Sequence, residues 1–129
     1  MPLVAVVVDD SMLIRYTVGR FLEDRGYTVE SAANGAEALE VLKRVRPDLV
    51  VTDMQMPKMS GGELIAFLKS DPQTAEVPII VVAATPDGSV EGEQRANFTI
   101  RKDIDIETQL GKALDVLKGK RTAAKAARK

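Results

Sequence analysis

The sequence predicts an α/β fold in which one parallel, doubly wound sheet is covered by helices on both faces. Three observations carry that reading. Residues 3–8, 49–52 and 79–82 are short, rich in Val and Ile and, but for Thr52, apolar, as strands buried in the middle of a parallel sheet must be. The segments between them place apolar residues at helical spacing. Gly26, Pro47 and Pro78 fall where one element has to give way to the next. Such alternation implies right-handed crossovers, and it puts a ligand site at the carboxyl ends of the central strands.

Each element follows in order. The first strand, residues 3–8, stops abruptly at Asp9-Asp10. Ser11 can cap the next helix, whose apolar positions Ile14, Val18, Phe21 and Leu22 share one face, and Gly26 ends it. Residues 27–31 form a short second strand. Asn34-Gly35 then turns into a helix with Ala38, Leu39, Leu42 and Val45 on one side, closed by Pro47. The third strand, 49–52, ends at another acid, Asp53. Ser60 and Glu63 have capping-box spacing ahead of a helix bearing Leu64, Ile65 and Leu68. Pro78 introduces the fourth strand, 79–82. Pro86, Gly88 and Gly92 break the pattern from 85 to 96, so the helix due there is expected to be short, degraded or absent. Residues 98–101 make a fifth strand, and Asp105 can cap a final helix carrying Ile106, Leu110, Ala113, Leu114 and Leu117.

Composition narrows the chemistry. The 129 residues suit one domain and include no Cys, no His and no Trp. That excludes a disulfide framework, a zinc-thiolate site, a His-based catalytic triad and a phosphohistidine carried on this chain. Carboxylates, Lys, Arg, hydroxyls and backbone remain, and they favour a hard, oxygen-ligated cation such as Mg²⁺. The start has no basic region ahead of a hydrophobic stretch, and no apolar run is long enough to span a bilayer, so a cytoplasmic protein without membrane contact is expected. Net charge is −1, yet residues 118–129 hold six basic residues and no acid, which leaves 12 basic against 19 acidic residues, about −7, on residues 1–117. The expected organisation is one domain over 1–118 and a basic tail over 119–129. The tail reads as a frayed helix or disordered, solvated extension in preference to a contact with nucleic acid or an acidic partner.

Three acids at the ends of two apolar strands are hard to explain as structure alone, because clustered carboxylates repel unless a cation intervenes. Taken singly, Asp10 could cap a helix while Asp9 and Asp53 sat as solvated loop acids. Taken together they point to a Mg²⁺ site, in which carboxylates, a backbone carbonyl and waters complete an octahedron.

Val8-Asp9-Asp10-Ser11, then Asp53-Met54-Gln55-Met56-Pro57-Lys58-Met59-Ser60-Gly61, then Lys102 after a late strand, resembles the receiver domain of two-component response regulators. The likeness covers residues 3 to about 118 and is most specific in the Asp-x-x-Met-Pro-x-x-x-Gly run. It implies a five-stranded, flavodoxin-like sheet in the order 2-1-3-4-5, in a bacterial, cytoplasmic phosphoprotein. It further implies that Asp53 is the phosphoacceptor, receiving its group from a sensor histidine kinase or phosphotransfer protein. Asp10, Asp53 and the backbone carbonyl of Gln55 would ligate Mg²⁺, Asp9 would act through a bound water, and Lys102 would pair with the phosphoryl oxygens. Met54, Met56 and Met59 read as packing residues.

The chain departs from that family where phosphorylation is usually read out. The hydroxyl position at the end of the fourth strand is Ala83, which cannot donate to a phosphoryl oxygen, and the nearby Thr85 is not its equivalent. The aromatic switch position three residues before Lys102 is Thr99, while Phe98 points to the opposite face. Asp103 replaces the Pro that usually follows the Lys, so no cis bond is expected there. A receiver-fold docking module that is not phosphorylated is therefore the main alternative. A Mg²⁺-dependent phosphatase with an Asp nucleophile is the lesser one, since its Asp-x-Asp-x-Thr signature is missing. No nucleotide-binding Gly-rich loop follows a strand. No output module follows the receiver-like region, so the expectation is a stand-alone regulator acting through an unknown downstream protein.

Overall fold

The computed structural model describes residues 3–53, 61–83, 97–101 and 105–127. Its elements run β1 (Leu3–Val8), α1 (Met12–Glu23), β2 (Tyr27–Ala32), α2 (Gly35–Arg44), β3 (Leu49–Asp53), α3 (Gly61–Ser70), β4 (Ile79–Ala83), β5 (Phe98–Arg101) and α4 (Ile106–Ala127). The five strands are parallel in the order β2-β1-β3-β4-β5, as the resemblance implies. The expected Ser60 cap, the segment 85–96 and the peptide at Lys102-Asp103 lie outside the described residues.

Strand alternation sorts the core into two layers. Ala5, Val7, Val51, Val82 and Ile100 face α1 and α4, where they meet Val18, Leu22, Leu110 and Leu114. Val6, Val8, Val50, Ile79 and Val81 face α2 and α3, where they meet Ala38, Val41, Leu64, Ile65 and Leu68. Because β1, β3 and β4 carry buried apolar side chains on both sides, β1 and β4 read in sequence as unbroken apolar runs and β3 as one up to Thr52. Each fully buried Leu or Ile contributes about 1.5–3 kcal/mol relative to an exposed one.

Caps fix the helix starts. Ser11 Oγ accepts from the Ile14 N–H at 3.3 Å, as its position predicts. Asn34 Oδ1 accepts from the Glu37 N–H at 2.9 Å, and Glu37 reaches back to accept from the Ala33 N–H at 3.1 Å. This reciprocal box was legible as Asn-x-x-Glu but was not read from the sequence. Asp105 caps α4 through Thr108, whose side-chain and backbone hydrogen bonds hold the Asp105 carboxyl below the usual carboxylate range. Gly26 follows α1 at φ 94°, a conformation that L side chains rarely adopt, so the chain turns into β2 there.

Three strands extend one residue beyond the expected limits, to Ala32, Asp53 and Ala83, because the parallel ladder pairs Val8 with Ala32, Asp53 with Val82 and Ala83 with Arg101. The innermost face of α2 centres on Ala38 and Val41 rather than on Leu39, Leu42 and Val45, which are only partly buried against the core. The expected face was rotated toward the helix's flank. The backbone of α4 continues to Ala127, through most of the basic segment.

One anchor had no periodic signal. Asn97 Oδ1 accepts from the Ile79 N–H at 2.8 Å and the Asn97 N–H donates to the Ile79 carbonyl at 2.8 Å, locking the start of β5 to the start of β4. Asn97→Ala is expected to lower stability by about 1–2 kcal/mol, because it leaves a partly buried strand N–H without its acceptor. Urea unfolding checks the value, and an unchanged midpoint would show that the bond contributes nothing.

Candidate functional site

The sheet brings three acids from two strand ends into one cluster. The β1–β3 register pairs Val8 with Thr52, so the next residues, Asp9 and Asp53, sit side by side at the carboxyl edge, and Asp10 is one residue further on. One carboxylate oxygen from each of Asp9, Asp10 and Asp53 lies within 4.8 Å of the others. Asp9 and Asp53 are buried, at 1% and 5% exposure, and Asp10 is exposed. This is the crossover edge at which a doubly wound sheet opens its crevice.

Hydrogen bonds from neighbouring elements hold Asp9 in place. Its N–H donates to the Ala32 carbonyl at 3.1 Å, its Oδ1 accepts from the Ser11 N–H at 2.8 Å, and its carbonyl accepts from Arg15 Nη1 at 2.7 Å. Asp53 is placed by the β3–β4 ladder, and the buried Thr52 hydroxyl donates to its carbonyl at 2.9 Å. Arg15 and Thr52 were not singled out from the sequence. The signal for Arg15 was its position one helical turn beyond the Ser11 cap, which brings it back to the backbone of Asp9.

The donor set suits a small divalent cation. All three groups are hard oxygen ligands, and burying two like charges together carries a desolvation and repulsion cost that a cation offsets. Asp9, Asp10 and Asp53 would hold such an ion with a hard, all-oxygen donor set.

The other anticipated residues divide. Ala83 ends β4, buried at 3% exposure, so a methyl group occupies the expected hydroxyl position. Thr99 is exposed on β5, while Phe98 packs with Ile100 on the α1/α4 side, so the aromatic does point away from the switch position. Gln55, Lys102 and the methionines at 54, 56 and 59 lie outside the described residues. No helix among the described residues is long and apolar enough to cross a membrane.

Comparison with known proteins agrees with this geometry. The family model for the response regulator receiver domain matches residues 5–114. The chain is similar to the solved structure of the chemotaxis response regulator CheY4 of Vibrio cholerae, with 32% identity and a TM-score of 0.75, covering 92% of this chain and 98% of that one. It is also 34% identical over 116 residues to the gliding motility regulatory protein of Myxococcus xanthus, covering 87% of this chain and 15% of that protein. The polar-differentiation response regulator DivK of Brucella anthropi is 36% identical over 84 residues, 65% of this chain and 68% of that protein. The first curated relatives are much longer than the part matched, the chain spanning 15%, 5% and 36% of three of them. Receiver domains are regulatory phosphoacceptors rather than enzymes, which sets the phosphatase alternative aside. With its sheet order, its acidic cluster and a family match over most of its length, the chain belongs to the response regulator receiver domain family of two-component signalling.

Proposed function

We propose that Asp53 accepts a phosphoryl group from a phosphohistidine on a sensor kinase or phosphotransfer protein in a Mg²⁺-dependent step, and that the chain signals from the cytoplasm through protein contacts. The observation that carries this reading is the meeting of Asp9, Asp10 and Asp53 within 4.8 Å at the carboxyl edge of the sheet, a triad typical of a receiver Mg²⁺ site. In the step, one Asp53 carboxylate oxygen bonds to phosphorus as the phosphorus–nitrogen bond of the donor breaks. The electron pair of that bond stays with the imidazole, and the product is an acyl phosphate on Asp53. Bound Mg²⁺ supplies charge neutralisation for the phosphoryl oxygens.

In this proposal Asp10, Asp53 and the Gln55 carbonyl hold the ion, Asp9 acts through a water, and Lys102 pairs with the phosphoryl group. Asp9 also shapes the turn, since its carboxylate fixes the Ser11 N–H and so the start of α1. Met12, Leu13 and Tyr16 stand 75%, 71% and 62% exposed on α1, directly after the acids. Large apolar side chains left in water beside a charged site support a protein as the donor. The unit that does this is residues 1–118, with 119–129 a basic extension.

A second reading, a receiver fold that docks without being phosphorylated, is favoured by Ala83 and Thr99 at the positions that usually couple phosphorylation to shape. Incubation with acetyl phosphate, followed by intact-mass measurement, separates the two. The phosphoacceptor reading expects one added phosphoryl group with Mg²⁺ and none with EDTA. Absence of an adduct with acetyl phosphate, phosphoramidate and a phosphorylated kinase domain would leave the docking module as the function.

A further inference from the structure

We propose that the cleft between α2 and the end of α3 is a docking groove for an acidic amphipathic helix of a partner protein, a surface separate from the acidic cluster and independent of whether Asp53 is phosphorylated. In a parallel sheet each crossover helix runs back against its strands, so the ends of α2 and α3, which lead into β3 and β4, lie at the amino edge, opposite Asp53. There the two helices border a cleft of about 660 Å³.

Its floor is more apolar than the core requires. The innermost face of α2 is made by Ala38 and Val41, yet the helix and its C-cap also carry Leu39, Leu42 and Val45 along the flank, half-buried and lining the cleft. Phe67 of α3 lines it from the other side at 43% exposure, and among the described residues it is the one large apolar side chain left exposed on this side of the sheet. Leaving such a row in contact with water forgoes burial that a partner would supply. The α2 wall runs from Ala36 to Arg46, about 15 Å at a rise of about 1.5 Å per residue, which matches nearly three turns of a helix laid along it. The opposite wall is preformed: the Thr74 hydroxyl donates to the Leu68 carbonyl at 2.6 Å, and Asp71 Oδ1 accepts from the Gln73 N–H at 2.9 Å. Both long walls are built on helices, with no strand edge for an extended peptide to pair with, so a helix in a groove is the mode that fits.

The rim selects for acid. Residues 1–117 carry about −7, yet Lys43, Arg44 and Arg46 stand exposed around this cleft against Glu40 and Asp71. Lys43 and Glu40 pair with each other at 3.2 Å, and Asp71 turns one carboxylate oxygen into its own loop. Among the described residues, Arg44 and Arg46 take no carboxylate partner. The dipole of α2 accounts for the cations in its last turn, Lys43 and Arg44, but not for Arg46 beyond the C-cap Val45. Two guanidinium groups beside an apolar floor complement a helix that flanks its apolar stripe with carboxylates.

The test uses the full chain and a fluorescein-labelled designed helix of about 14 residues, with Leu at i, i+3, i+4 and i+7 and Glu on both flanks, beside a twin with Lys in place of each Glu. Fluorescence anisotropy gives the affinities and amide shifts give the location. The acidic probe is expected to bind about tenfold tighter than its twin, and to move amides on α2 and at residues 67–74 but not in the turn of Asp9 and Asp10. Phe67→Ser should weaken the acidic probe about tenfold with an unchanged urea midpoint, since the side chain is exposed. Arg44→Glu/Arg46→Glu should reverse the preference, so that the basic twin binds better, which an unselective apolar patch would not do. Asp53→Asn should bind the acidic probe as wild type does, so that failure of the phosphoacceptor reading leaves the groove standing. Equal affinity for the two probes, shifts confined to Met12, Leu13 and Tyr16, or an unchanged affinity in either cleft variant would each overturn the proposal. Shifts at the cleft with laurate and none with the acidic helix would also overturn it, and would make the cleft a site for a small amphiphile.

Discussion

Asp53→Asn is expected to abolish phosphoryl uptake entirely and, without a divalent ion, to make the chain more stable than wild type. The first effect follows from removing the attacking oxygen, because an amide is a poor nucleophile and the remaining acids occupy other positions around the cluster. The second follows from charge. Two carboxylates at the 4.8 Å limit of the cluster repel by about 1 kcal/mol in a water-like dielectric and by about 3 kcal/mol at an effective dielectric of ~20, and Asp53 lies within that distance of two others. Neutralising one member of a cluster in which Asp9 and Asp53 are buried should therefore raise metal-free stability by about 1–2 kcal/mol. Mg²⁺ reverses the order. A ligand at about a hundred times its Kd adds roughly 2.7 kcal/mol to the chain that binds it, and Asp53→Asn should gain much less. Urea melts of both chains with and without Mg²⁺ give the four values. A variant that is less stable than wild type in EDTA would show that the three acids are not in mutual repulsion.

The second large effect lies in the core. Leu22 is fully buried in the layer formed by α1, α4 and one side of the sheet, among Val7, Val18, Leu110 and Leu114. Leu22→Ala removes buried apolar volume that the surrounding strands cannot collapse to fill, and the expected loss is about 3 kcal/mol, within the usual 2–5 kcal/mol for such changes. A domain of this size has about 5–15 kcal/mol in hand, so the variant should fold at low temperature with its urea midpoint lowered by about 1–2 M. A loss below about 1 kcal/mol would mean that α1 does not pack against the sheet through Leu22. Phosphoryl uptake by the folded fraction should survive, because the acids are held by strand register and by the Ser11 and Arg15 contacts at the other end of α1.

The particular elements explain why the sequence could be read as far as it could. β1, β3 and β4 are buried on both sides, so their composition is unambiguous, and an acid at the end of β1 and of β3 marks the carboxyl edge of the sheet. Ser11 and Asp105 were legible as caps because a cap is a local requirement satisfied within three residues. α2 was harder. Its flank carries larger apolar side chains than its innermost face, where Ala38 and Val41 fit close to the sheet, so the bigger residues drew the helical face toward themselves.

What the sequence determined by itself was the alternation of elements, the two apolar layers, and the placing of three acids at strand ends, since each depends on local pattern and on the absence of competing His or Cys chemistry. What only the tertiary structure decided was which groups meet. The register of β1 against β3 sets Asp9 beside Asp53, Asn97 finds the backbone of Ile79 eighteen residues away, and Gln109 takes both backbone groups of Arg101. The first depends on strand register and the others join a side chain to a backbone that has no sequence signature, so they exist only once packing has brought the two segments together.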